Sequence, residues 1–161
     1  MQDLTPSMPV AVTNLQRRFR VSPERLRAVG RRALAALDRA DREVHVAVVD
    51  DRRIRALNGR YLGIRRATDV LAFDMAGPGP ARLWGEVVVS AETAARQARR
   101  LRVPLAAELD LLVVHGLLHL AGYDDHHPRR ARRMHERARE ILTARSPRPI
   151  PARLWAGLLE A

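Results

Sequence analysis

His115 and His119 stand four residues apart in the run H-G-L-L-H-L-A-G-Y-D-D-H, which spans residues 115–126. On a helix that spacing projects both imidazoles from one face, one turn apart. Gly122 offers a place to end the helix and reverse. Asp125 and His126 follow within reach of a fold-back. Two imidazoles on a rigid helix plus one ligand after a turn can hold a divalent metal with one coordination position open, and an open position is what metal-assisted hydrolysis needs. A bare H-x-x-x-H pair is more often two hydrogen-bonded core histidines. The glycine, the acid and the further histidine shift the balance toward a metal site.

The elements that must position this stretch follow from periodicity. Pro104 opens a helix over 105–121 that is apolar nearly all round, apart from Glu108, Asp110 and the two histidines. A helix of that kind lies inside a domain, where unpartnered imidazoles are costly. Residues 8–13, 44–49, 68–73 and 84–90 read as strands, with 44–49 and 68–73 central. Ser22-Pro23-Glu24 starts a helix that runs to about Ala40. Short helices are expected over 52–61 and 91–102, with a very basic one from Pro128. Gly77 to Pro80 is a loop. Residues 1–145 form the expected domain. Residues 146–161 form a Pro-rich linker and a short apolar tail, the one candidate for a segment outside it. Mixed strands and helices in this order imply an α+β fold, a single mixed sheet of about four strands packed with helices.

Composition narrows the chemistry. The chain has 161 residues, enough for one sizeable core. It has no cysteine, which excludes disulfides, thiolate metal sites and cysteine nucleophiles and fits a reducing cytoplasm. No leader and no membrane span are expected, because charges interrupt every apolar run. The net charge of +11 points to a polyanion, above all nucleic acid. Aromatic residues are only 4%, so arginine contacts to phosphates are favoured over base stacking on an aromatic platform. The arginines at 17–32 and along the last helix are either solvated faces or RNA-facing patches.

The run from His115 resembles the signature H-G-x-L-H-L-x-G-Y-D-H of the YbeY family, bacterial metal-dependent endoribonucleases of ribosomal RNA maturation. The resemblance extends to Leu57-Asn58-Gly59-Arg60-Tyr61-Leu62, to Thr68-Asp69-Val70-Leu71-Ala72-Phe73 and to Gly85-Glu86-Val87-Val88-Val89-Ser90. It covers roughly residues 8–143. Such a long combined motif is specific. The family's third histidine falls on Asp125, with His126 one residue late. Asp125 keeps the register and would make a His₂Asp site, so it is favoured, with His126 the alternative. The family's arginine after tyrosine falls on Leu62, and Arg60, Arg65 and Arg66 stand near enough to replace it.

The resemblance implies a metzincin-like zinc-hydrolase core around the buried H-x-x-x-H helix. It implies one divalent metal ion, zinc by preference, held by His115, His119 and Asp125 or His126. It implies a single-strand-specific endoribonuclease that acts in the cytoplasm on RNA of the small ribosomal subunit, in 3′-end maturation and ribosome quality control. A ribosomal protein or a GTPase is the expected kind of protein partner. Arg60 and Arg66 are the candidates for phosphate contacts and Glu86 for a proton acceptor. Gly116 sits where H-E-x-x-H metalloproteases carry their glutamate, which argues against peptide hydrolysis. A ribosome-assembly factor with a structural metal, a metzincin-like protease and a two-His-one-carboxylate iron site are the competing expectations.

Overall fold

The computed structural model describes residues 8–63, 68–77 and 82–159. Within them, strands Val10–Asn14 (β1), Glu43–Val49 (β2), Val70–Asp74 (β3) and Leu83–Ser90 (β4) form one sheet in the order β1-β2-β4-β3. β1, β2 and β4 run parallel, and β3 pairs antiparallel with β4. Parallel neighbours require crossovers, and the helix Pro23–Ala36 (α1) makes the first of them. The Ser22 hydroxyl accepts from the Arg25 amide, and Pro23 starts the helix where its missing N–H costs nothing. Leu26, Val29, Ala33 and Leu34 turn inward.

Alternation along β2 explains why that strand is almost wholly apolar. Val44, Val46 and Val48 join the larger core, which holds α1 and the helices Ala91–Leu101 (α3), Leu105–Leu120 (α4) and Pro128–Thr143 (α5). Ala47 and Val49 face the other way and pack with Leu71, Val88 and Ile54 of the helix Asp51–Leu62 (α2). The sheet is therefore covered on both faces, as a parallel sheet requires.

Three differences from the sequence reading have physical causes. The strand expected centrally at 68–73 is the edge strand β3; three of its five residues are only partly buried, and a hairpin partner joins an edge without a crossover. α1 stops at Ala36, four residues early, and Asp38 then turns the chain at φ 56°. The segment set apart at the C-terminus packs on the domain: a 3₁₀ turn at Ala152–Trp155 and a short helix Ala156–Leu159 (α6) follow residue 151, and Leu154 is 1% exposed within the larger core. The loop expected at 77–80 lies outside the described residues beyond Gly77.

Helix α4 crosses the middle of this core and lies directly on β4. Gly116 makes the approach possible, because a Cβ there would fall inside van der Waals contact of the Val87 side chain. A Gly116→Ala variant is expected to lose about 2 kcal/mol of stability, since a well-packed core absorbs an added methyl only by strain. Urea unfolding of the two proteins checks this, and equal midpoints would remove the glycine's structural role.

Candidate active site

Burying α4 fixes where its histidines point. Both line a cavity of about 430 Å³, together with Asp125 from the loop after the helix and His135 from α5. His119 donates its Nδ1–H to the Tyr123 carbonyl at 3.2 Å, which leaves Nε2 as the free nitrogen. The turn that provides this carbonyl is made by Gly122, at φ 98°. His115 has a fully enclosed Nε2 with no hydrogen-bond partner. Its ring stacks against His135, centroids 5.9 Å apart. Burial, with His135 and His119 nearby, pushes the His115 imidazole down to about 4, against the pull of Asp125. Burial also lowers His135, again opposed by Asp125.

The sequence candidates divide. His115, His119 and Asp125 line one cavity. His126 is exposed and lines a neighbouring cavity of about 680 Å³ with Arg132, Arg139 and Trp155. The two cavities meet at Asp125, His135 and Leu158. Asp124 accepts from the His126 amide and pairs with Arg130, so its partners are those of a turn residue. Glu86 alternates with Val87 and so faces away from α4. It accepts from His45 Nδ1 at 2.8 Å, and His45 Nε2 meets the Thr13 hydroxyl at 2.8 Å. Arg60 is exposed on α2, with its guanidinium over the Tyr61 ring. Arg66 and Arg65 lie outside the described residues.

Several cavity residues carried no sequence signal. His135 sits in an arginine-rich helix with no motif around it, and only the packing of α5 on α4 brings it to His115. Arg100, from α3, is the arginine that lines the cavity among the described residues. Glu108 is 4% exposed, and one of its oxygens has no partner. Burial, with Asp69 close by, pushes its carboxyl up to about 7, against Arg100.

The donor chemistry suits a divalent metal: an orphaned imidazole nitrogen, a second imidazole locked in the matching tautomer, and a carboxylate and a third imidazole beside them. Among the described residues no three such groups stand together at ligand geometry. Closing a set on His115 and His119 therefore calls for a side-chain movement by exposed Asp125 or half-buried His135.

Comparison with known proteins agrees with the motif. A family model described as Endoribonuclease YbeY matches residues 11–146. The chain is 47% identical over 138 residues to an Endoribonuclease YbeY of Anaeromyxobacter sp. (strain Fw109-5), covering 85% of this chain and 72% of that one. It is 43% identical over 144 residues to an Endoribonuclease YbeY of Geobacter metallireducens, covering 84% and 94%. The solution structure of TM1509 from Thermotoga maritima superposes with a TM-score of 0.57 at 23% identity, covering 94% of this chain and 92% of that one, which shows a shared fold.

The two shifted groups pull stability in opposite directions. His115 has a folded pKa below its ordinary 6.5, so it contributes stability that is lost as pH falls from 6.5 toward about 4. Glu108 has a folded pKa above its ordinary 4.5, so it contributes stability present in acid that is lost as pH rises toward about 7. Each slope approaches about 1.4 kcal/mol per pH unit. In urea unfolding of metal-free protein across this window, Glu108→Gln is expected to make stability climb more steeply with pH than in wild type. His115→Asn is expected to make it fall. Variants whose profiles parallel the wild type would show that neither group is perturbed.

Proposed function

The chain belongs to the YbeY family of endoribonucleases, and from that premise we propose that it hydrolyses single-stranded RNA at the α4 cavity with one divalent metal, zinc by preference. The observation that carries this reading is the enclosed, partnerless His115 Nε2 in a cavity shared with His119 and Asp125. His115, His119 and Asp125 would hold the metal, and His135 stands beside them as a further imidazole. The whole would be a metzincin-like hydrolase core. When bound, the metal would supply Lewis acidity for attack of water on a phosphodiester.

The chain's own groups do the rest. Tyr123 holds His119 in the tautomer that turns Nε2 outward. Leu111 and Leu112 keep bulk water from the imidazoles, which strengthens every charge interaction there. Arg100 supplies positive charge for a phosphate entering the cavity. Arg132 and Arg139, beside the adjoining cavity, extend that field along α5, the natural track for an RNA backbone. The substrate we infer is ribosomal RNA of the small subunit, in 3′-end maturation and quality control in the cytoplasm.

A second reading, an RNA-binding assembly factor, draws on Leu62. It is 57% exposed where the resemblance expects a phosphate-binding arginine.

Full-length protein with zinc is expected to cut a single-stranded oligoribonucleotide, to stop on chelation and to recover when zinc returns. His115→Ala should lower kcat/KM on the order of 100-fold. His135→Ala should weaken zinc binding, read by direct titration, on the order of tenfold. If His115→Ala cut at the wild-type rate, the nuclease site would lie elsewhere. Salt-sensitive RNA binding without cutting by the wild type would favour the second reading.

A further inference from the structure

The cavity has a second end. Glu108 lies seven residues before His115 on α4, about 10 Å along the helix axis. Its charged neighbours are Asp69 and Arg100, whereas those of His115 are His135, His119 and Asp125. Asp69 is fixed in place: its carbonyl accepts from the Ser90 amide, and its carboxylate accepts from the Gln97 side-chain amide at 3.3 Å. Leu101, Leu111, Leu154 and Leu158 line the cavity with these groups. A carboxyl oxygen buried without a partner is costly, and it is retained here in the wall of a cavity of mixed polar and apolar lining, large enough for a small ligand.

A ligand that fits this end offers N–H donors on one edge to Glu108 and apolar faces to the leucines. Two acids, Glu108 and Asp69, stand against Arg100 at this end, which disfavours a phosphate seated beside Glu108. A nucleobase fits, read on its Watson–Crick edge between apolar side chains. Guanine presents two adjacent donors, N1–H and the 2-amino group, which match the two oxygens of one carboxylate. Its own phosphate would then lie toward His115 and His119. We propose that Glu108, supported by Asp69 and Gln97, forms a guanine-binding subsite at the inner end of the cavity, next to the cleaved bond. This rests on the endoribonuclease reading for its meaning but not for its test.

Binding of 5′-GMP, 5′-IMP, 5′-AMP, 5′-CMP and 5′-UMP to full-length protein, followed by NMR through the Gln97 side-chain amide, tests the subsite directly. GMP should bind at least about tenfold more tightly than AMP. IMP, which lacks only the 2-amino group, should lose most of that advantage. Glu108→Gln should abolish the preference while the variant keeps its zinc affinity. Because the IMP comparison uses unaltered protein, it holds even if the variant folds poorly. Equal binding of all five nucleotides, or a preference unchanged in Glu108→Gln, would overturn the subsite. On RNA, cutting with no preference for guanosine beside the cleaved bond would overturn it while leaving the nuclease reading intact. Selective GMP binding by a protein that cuts no RNA would leave the subsite standing and sink the nuclease.

Discussion

Helix α4 lies against β4 because Gly116 has no side chain, and the contact with Val87 sets the depth at which every other group on that helix is buried. Eleven of its sixteen residues are buried, including Glu108 and Asp110. A helix placed that deeply must find partners for its polar groups inside the protein. Asp110 finds Arg25 of α1, in an ion pair of 2.9 Å that joins the two helices. Burial raises its pKa, and Arg25 works against the rise. The ion pair uses one Asp110 oxygen; the other, like one Glu108 oxygen and the His115 Nε2, has no partner. What separates the three is position: Asp110 is tied to α1 through Arg25, whereas Glu108 and His115 line the cavity.

The same burial organises charge. Among the described residues the exposed arginines crowd α5 and the outer faces of α2 and α3, while Asp51, Glu108 and Asp110 lie inward. Asp51 is the clearest case. It accepts from Ser90, Thr93 and Arg96, tying the start of α2 to the end of β4 and to α3. Burial raises its pKa, but those hydrogen bonds together outweigh it and hold the carboxyl below its usual range. The basic shell can attract a polyanion at range.

Much of the layout was legible because the local signals were strong. β2 and β4 are β-branched runs. α1 and α4 carry their caps or their apolar character in plain view, and His115 with His119 declare one helix face by spacing alone. Glu86 and Arg60 were legible as residue types beside a motif but not as positions in space. One alternates onto the far face of the sheet, and the other rides on α2 across it. The tail at 152–159 looked separable because its linker is Pro-rich. Leu154 is nonetheless inside the core, since a short apolar turn gains more by covering the cavity wall than by staying in water.

By itself, then, the order of residues determined the elements, the helix that must be buried and the pair of imidazoles on it, because helix and strand periodicities are local properties. It also carried the family, through a motif too long to arise by chance. Only the tertiary structure decided which groups share a cavity with those imidazoles. His135 from α5, Arg100 from α3, and Asp69 beside the edge strand meet Glu108 and His115 because separate elements pack on one helix, and that packing depends on contacts far apart in the chain. Asp125 turns into the same space and His126, its neighbour, does not. A difference of one residue is invisible to spacing arguments across a loop, and it is settled by the turn that Gly122 makes at positive φ.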